Sequence, residues 1–135
     1  GDMHCPCHME YSKDFREARG YKKNSILVKG KKYDYHKFWD AAPQIMNPKW
    51  KADDYLKACD TYSPKQIKKI SKGNVYKWSK ENAKREVVMF DFWTRHEELS
   101  KMSKEKKERI NDLMHTQLAY AAYRLATTLN MIFAY

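Results

Sequence analysis

Apolar residues return at steps of three and four along the last third of the chain: Ile110, Met114, Leu118, Ala121, Leu125, Leu129 and Ile132, with Gln117 on the same face. That spacing predicts a long amphipathic helix starting at the Lys/Glu-rich segment from Ser103, with these residues as its core stripe. A second helical run over residues 75–98 sets Ala83, Val87 and Phe90, with Val88 and Phe92, on its inner side. Ahead of it, SPKQIKKISKG carries a complete set of helix punctuation. Ser63 is the N-cap, Pro64 the first helical residue, Gln66 the capping-box partner and Gly73 the stop. ADDYLKACDTY predicts one short helix. In NSILVKGKKYDYHKFWD the period changes to two: Ile26 and Val28 alternate with polar residues, Gly30 turns the chain, and Tyr33 and Tyr35 follow. This is a hairpin pattern. A helix then begins at Asp34 or Tyr35, carries His36 and Asp40, and stops before Pro43 or Pro48. Residues 9–23 are polar and turn-like, and predict a loop. The chain is therefore mainly α, a helical bundle with one small β-hairpin.

Composition changes that picture in one respect. The 135 residues, enough for one domain at most, hold 27 Lys and Arg against 17 Asp and Glu, a net charge of +10. Such a balance suits an anionic partner such as nucleic acid or a membrane surface, although lysines that merely solvate helix faces give the same count. No run of about 18 apolar residues is present, so no membrane span is expected. The polar opening is not that of a signal peptide. Three cysteines, Cys5, Cys7 and Cys59, are an odd number and make no disulfide framework.

Candidate chemistry lies in two places. The chain opens GDMHCPCH, placing Asp2, His4, Cys5, Cys7 and His8 within eight residues. Farther on, His36 and Asp40 are four apart, which on a helix puts both side chains on one face, about 5–6 Å apart at Cβ. Imidazole nitrogen and carboxylate oxygen both ligate zinc at about 2.0–2.2 Å, so one helical turn can chelate one ion. Most His-x-x-x-Asp pairs are surface ion pairs, and spacing alone does not separate the two cases. A rival site is a zinc knuckle built from Cys5, Cys7, His4 and His8. Its one-residue gap, filled by Pro6, turns two sulfurs toward one metal poorly. The simplest role for the two cysteines is small apolar filler. His96 and His115 fall on predicted helices away from both places and are assigned structural roles.

These residues carry a resemblance. GDMHCPCH resembles the Gly-Asp-hydrophobic-His-x-Pro-x-His block of the zinc-dependent single-strand nucleases of the S-1/P-1 type, in the wider phospholipase C/P-1 nuclease superfamily. NSILVKGKKYDYHKFWD is similar to that family's Gly-Asn-x-Ile-x-Val strand followed by Asn-Leu-His-x-x-Trp-Asp. QLAYAAYRLATTLNMIF is similar to its closing helix, Ala-Gly-x-Arg-Leu-Ala-x-x-Leu-Asn, with Ala122 in place of the glycine. The blocks occur in the family's order and span almost the whole chain.

The resemblance implies a helical bundle that holds three zinc ions and hydrolyses phosphodiester bonds in single-stranded DNA or RNA, or in nucleotides, leaving 5′-phosphate ends. Asp2 matches the aspartate that bridges metals and is the implied catalytic carboxylate. His8, His36 and Asp40 match the ligands of one zinc, and His4 an outer position beside it. Arg124 and Asn130 also match family positions. Cys5 and Cys7 stand where Gln and Leu are common, and Gly20 with Tyr21 where a Gly-Gly pair is common. The family's remaining zinc ligands lie in its preceding half. The chain is thus expected to be the C-terminal part of one zinc nuclease domain, 1–135, holding about one zinc and inactive alone. A phospholipase C-like phosphodiesterase, or a non-catalytic remnant that binds zinc or nucleic acid, is the alternative. Export to the periplasm or outside the cell is implied by resemblance only.

Overall fold

A computed structural model of the chain describes residues 1–9, 11–19, 24–91 and 96–134. The hairpin forms where the alternation places it. Strands Ile26–Val28 (β1) and Lys31–Tyr33 (β2) pair antiparallel, with Ile26 opposite Tyr33 and Val28 opposite Lys31. Lys29 and Gly30 between them both have positive φ, 49° and 81°, as a two-residue turn matching the strand twist requires. A third strand, Glu97–Glu98 (β3), runs parallel to β1 on its other edge, giving the order β2-β1-β3. Ile26 in the central strand is fully buried.

Five of the six α-helices among the described residues begin on a side chain that accepts from a backbone N–H of the first turn. Ser12 accepts from Phe15 at 3.2 Å at the start of Lys13–Ala18 (α1), and Asp34 from Lys37 at 2.8 Å at the start of Tyr35–Met46 (α2). Asn74 accepts from Lys77 at 3.1 Å ahead of α5, Val75–Glu86, and Ser103 from Lys106 at 3.2 Å ahead of α6, Lys104–Phe133. Between them lie Ala52–Cys59 (α3) and Pro64–Ile70 (α4). The α4 capping box forms in full, and Gly73 follows with φ of 124°.

Three expectations are corrected. Residues 9–23 are not all loop: Ser12 caps α1, with Asp14 in its first turn complementing the helix dipole. The run over 75–98 is not one helix. It narrows at Val87 to a 3-10 segment, Val87–Asp91, and Glu97–Glu98 is drawn into the sheet, where Glu97 N–H donates to Ser25 O at 3.1 Å. His96 therefore lies in the turn before β3, bonded to Ser25 Oγ at 3.1 Å, and not on a helix. Phe92, Gly20 and Tyr21 lie outside the described residues. Third, the α6 stripe is core only in its first half. Ile110, Leu113, Met114 and Gln117 are buried, whereas Leu118, Leu125, Leu129 and Ile132 are 40–66% exposed. A helix of 30 residues is about 45 Å long and outruns the elements that cover it.

The core that positions the site is α2 against β1, the 3-10 segment and α6. Tyr35, Phe38, Trp39 and Ala42, at spacings of three, four and seven, are buried against Ile26, Met89, Phe90, Ile110 and Met114. Each large side chain so buried stabilises the fold by about 1.5–3 kcal/mol. Pro43 costs α2 one internal hydrogen bond, yet the helix continues to Met46 and ends ahead of Pro48. With its inner face locked, α2 has one rotational setting, and that setting points His36 and Asp40 outward.

Beside the apolar core runs a buried polar layer. Arg124, 2% exposed, ion-pairs with Glu81 and donates to Ile70 O at 3.1 Å, Asn82 Oδ1 at 3.2 Å and His4 Nε2 at 3.2 Å. Asn82 donates to Met3 O at 3.0 Å and Gln117 to His4 O at 3.1 Å. Glu86, fully buried, accepts from Gln117, and its other oxygen has no hydrogen-bond partner among the described residues. Burial pushes its carboxyl up to about 8, against which the Gln117 hydrogen bond and the Arg85 charge work. The folded state thus holds a proton that the unfolded chain releases near 4.5. Stability is fully present below that value, falls as pH rises toward 8, and levels off above it. Chemical denaturation at pH 5 and pH 8.5 should show a loss on the order of 2–4 kcal/mol across that window, absent in Glu86→Gln. A slope unchanged by the substitution would place the effect elsewhere.

Candidate metal centre

The opening segment folds as two tight turns in succession. Asp2–His4 form one 3-10 turn, closed by His4 N–H to Gly1 O at 2.9 Å. Cys5 to His8 then reverse the chain, with His8 N–H donating to Cys5 O at 3.0 Å. Pro6 takes the second position of this turn and Cys7 the third, with φ of 77°, the left-handed value of a type II turn. The polar layer clamps the segment from beneath, since Asn82 and Gln117 hold the carbonyls of Met3 and His4. The segment is thereby fixed against α2.

This brings His8, His36 and Asp40 together. His8 Nε2 lies 2.8 Å from Asp40 Oδ1 and 3.1 Å from His36 Nε2, and His36 Nε2 lies 3.3 Å from Asp40 Oδ2. The two ring nitrogens and the carboxylate oxygens thus crowd one small volume. Ligands around a tetrahedral zinc lie about 3.3 Å apart, and the three separations match that scale. Asp2 stands on the opposite side of the His8 ring, its Oδ1 2.8 Å from Nδ1, with a side chain 87% exposed. Burial lowers the His8 pKa, but hydrogen bonds to Asp2 and Asp40 outweigh it, and the net shift is upward. Without a cation, a proton on His8 takes the place that the two carboxylates favour.

The other candidates go elsewhere. His4 turns inward to Arg124, and burial, then the Arg124 charge, lower its pKa to about 4, so it is a neutral acceptor. The Cys7 thiol lies 3.4 Å from Met89 Sδ, at the edge of the core. A zinc knuckle of Cys5, Cys7, His4 and His8 is therefore not assembled. Cys5 faces the cluster instead: its sulfur is 3.7 Å from Asp40 Oδ1, and Cys5, His8 and Asp40 each offer a donor atom within 4.8 Å of the others. Burial, and then the Asp40 charge and hydrogen bond, push the Cys5 thiol up to about 12. Sequence reasoning left Cys5 as filler. The signal it missed is the Cys-Pro-x-His turn, which returns residue 8 to the side of residue 5. His115 stacks on Trp50 with ring centres 5.4 Å apart, a packing role. Among the described residues no helix is long and apolar enough to cross a membrane.

Comparison with known proteins places this geometry in context. A family model described as S1/P1 Nuclease matches residues 1–134. No curated protein and no solved structure matches the chain.

Proposed function

The chain belongs to the S1/P1 nuclease family, and on that premise we propose that it is the C-terminal part of a zinc-dependent phosphodiesterase domain acting on single-stranded nucleic acid. The observation that carries this is the convergence of His8, His36 and Asp40 within 2.8–3.3 Å. Two neutral imidazoles and a carboxylate are a donor set that zinc accepts, with a position left for water or substrate. Zinc held there supplies a Lewis acid that neutralises charge on a phosphodiester. The protein's own part is orientation. Asp2 holds His8 by Nδ1 so that Nε2 faces the cluster, as carboxylates behind metal-bound histidines do. The turn of α2 fixes His36 and Asp40 on one face, and the net charge of +10 favours a polyanionic substrate.

Asp2 also matches the family's bridging carboxylate, and its exposure leaves its second oxygen open to a neighbouring ion. Two-metal chemistry on phosphate needs ions about 3.5–4 Å apart, each with its own ligands. Among the described residues the one group of three or more candidate metal donors is the one beside Asp40. On this reading the remaining ligands belong to a further segment of the domain, as the resemblance implies. The exposed apolar residues over the last turns of α6, Leu125, Leu129, Ile132 and Phe133, support the same reading. A product with 5′-phosphate ends and an exported location follow from the resemblance.

The test is cleavage of labelled single-stranded and duplex oligonucleotides with zinc added or chelated. The 135-residue chain should give little or no cleavage. The product of the complete gene should cut the single strand only with zinc present. Robust cutting by the chain alone would contradict the partial-site reading, and cutting that survives chelation would contradict the metal. A smaller effect isolates the role of Asp2: Asp2→Asn should weaken zinc binding by the chain about 10- to 100-fold, measured by calorimetry. Unchanged affinity would remove Asp2 from the site.

A further inference from the structure

We propose that the lysine-bearing faces of α4 and α5, with the aromatic notch beside them, form a docking surface for single-stranded nucleic acid that shares no residue with the metal cluster. Residues 63–86 carry eight Lys and Arg against Glu81 and Glu86, so this stretch supplies +6 of the chain's net +10. The charges are ordered. Along α4 and the turn after it, Lys65, Lys68, Lys69 and Lys72 recur at steps of three and four and share one exposed face, with Ile70 buried on the other. On α5, Lys77, Lys80 and Lys84 are exposed opposite the buried Trp78, Asn82 and Glu86. Of the two acids, Glu86 is buried and Glu81 is paired with Arg124 and Lys77. Among the described residues Lys65, Lys68, Lys69, Lys80 and Lys84 have no ion-pair partner. Lys65 with Lys69, Lys68 with Lys72 and Lys80 with Lys84 are like charges one helical turn apart, each pair mildly destabilising. A polyanion laid across both helices relieves that repulsion.

Lysines alone suit any polyanion, and the notch narrows the partner. It opens where α4 and α5 meet α6, with a volume of about 310 Å3, and is lined by Tyr62, Lys69, Glu81, Arg85, Tyr120 and Arg124 among others. That volume is at the lower end of small-ligand sites, about 300–1,000 Å3, and takes one base. The Tyr62 ring meets those of Tyr120 and Tyr123 edge to face, with centres 5.8 Å apart, and the Arg85 guanidinium lies 4.3 Å from the centre of the Tyr120 ring. Aromatic rings and guanidinium planes are surfaces on which unpaired bases stack, while neighbouring lysines follow the phosphates. A duplex keeps its bases paired, and an anionic lipid surface has none to offer. Either would engage the lysines and leave the notch empty. Arg124, which borders the notch, also bonds His4 in the segment that carries Asp2 and His8, so surface and cluster share one buried support.

The probe is a fluorescent oligo(dT) of about 15 nucleotides, titrated with the chain in EDTA and read by anisotropy over a range of salt. Replacing Lys65, Lys69 and Lys80 together by Gln removes three phosphate contacts, and the slope of log K against log salt should become shallower by about 2. The same replacement at Lys32, Lys49 and Lys57, exposed elsewhere on the chain, should leave the slope nearly unchanged. Tyr62→Leu should weaken the single strand about 5- to 100-fold and leave duplex binding as it was, while Tyr62→Phe keeps the affinity. An equal change of slope in the second lysine set would show diffuse attraction to net charge and overturn the proposal. So would duplex bound as tightly as the single strand, or tighter binding to vesicles of equimolar phosphatidylcholine and phosphatidylserine. Since the metal is chelated throughout, failure of this surface leaves the cluster of His8, His36 and Asp40 standing, and failure of the cluster leaves this surface standing.

Discussion

Zinc affinity of the His36→Ala variant should fall by more than about 100-fold, beyond the 10- to 100-fold expected when only an outer partner of a ligand is lost. The side chain is 52% exposed and on the outer face of α2, so its removal should change the stability of the metal-free chain by no more than about 0.5 kcal/mol. Those two numbers together separate a ligand from a packing residue. Competition against a chromophoric chelator gives the first, and urea denaturation the second. An affinity within tenfold of the unsubstituted chain would show that His8 and Asp40 bind without it. The site would then lose the turn-spaced pair on which it is built.

The opposite pattern is expected at Arg124. Arg124→Ala should destabilise the chain by about 3–5 kcal/mol, because it strips a buried hydrogen-bond hub and takes a donor from each of its partners. The exposed end of the ion pair, Glu81, can regain water, but Asn82, Ile70 O and His4 cannot do so readily. Loss of the clamp should also loosen the segment carrying Asp2 and His8, since His4 and Asn82 tie it to α5 and α6. Urea denaturation measures the first effect, and the amide exchange rates of residues 3–8 the second. A loss below about 1 kcal/mol would mean that the layer is solvated in solution.

What was legible in the sequence follows the range of the interactions concerned. Ser63 and Gln66 act within three residues, so that capping box can be read from the sequence, whereas Ser12, whose partner is just as close, lay in a segment too polar and short to show a helical period. The hairpin is similarly local, set by Ile26, Val28 and the Lys29-Gly30 turn. Strand β3 was not legible, because Glu97 and Glu98 join the sheet through β1, some seventy residues away, and carry no β signal of their own. The second half of the α6 stripe misled for a related reason. Helical spacing shows that Leu125, Leu129 and Ile132 share a face, but burial depends on what covers that face.

The site divides in the same way. His36 and Asp40 could be paired from spacing alone. The match of His8 to them came from the resemblance, and the structure adds the Pro6-Cys7 turn that delivers it. The polar layer under the site could not be read at all. Gln117 looked like one more member of the α6 stripe, and Arg124 was marked only by its match to a family position. Their partners, the carbonyl of His4 and the side chain of Asn82, are distant in the chain. The inward turn of His4 is a consequence of that clamp, not of local sequence preference.

The most direct test of the account is the position of the metal. Crystals of the chain grown with zinc, with diffraction recorded on both sides of the zinc absorption edge, locate the ion by anomalous scattering. The account predicts a peak bounded by His8 Nε2, His36 Nε2 and the Asp40 carboxylate, about 2.0–2.2 Å from each. A peak elsewhere on the chain, or none at full zinc loading, would contradict it.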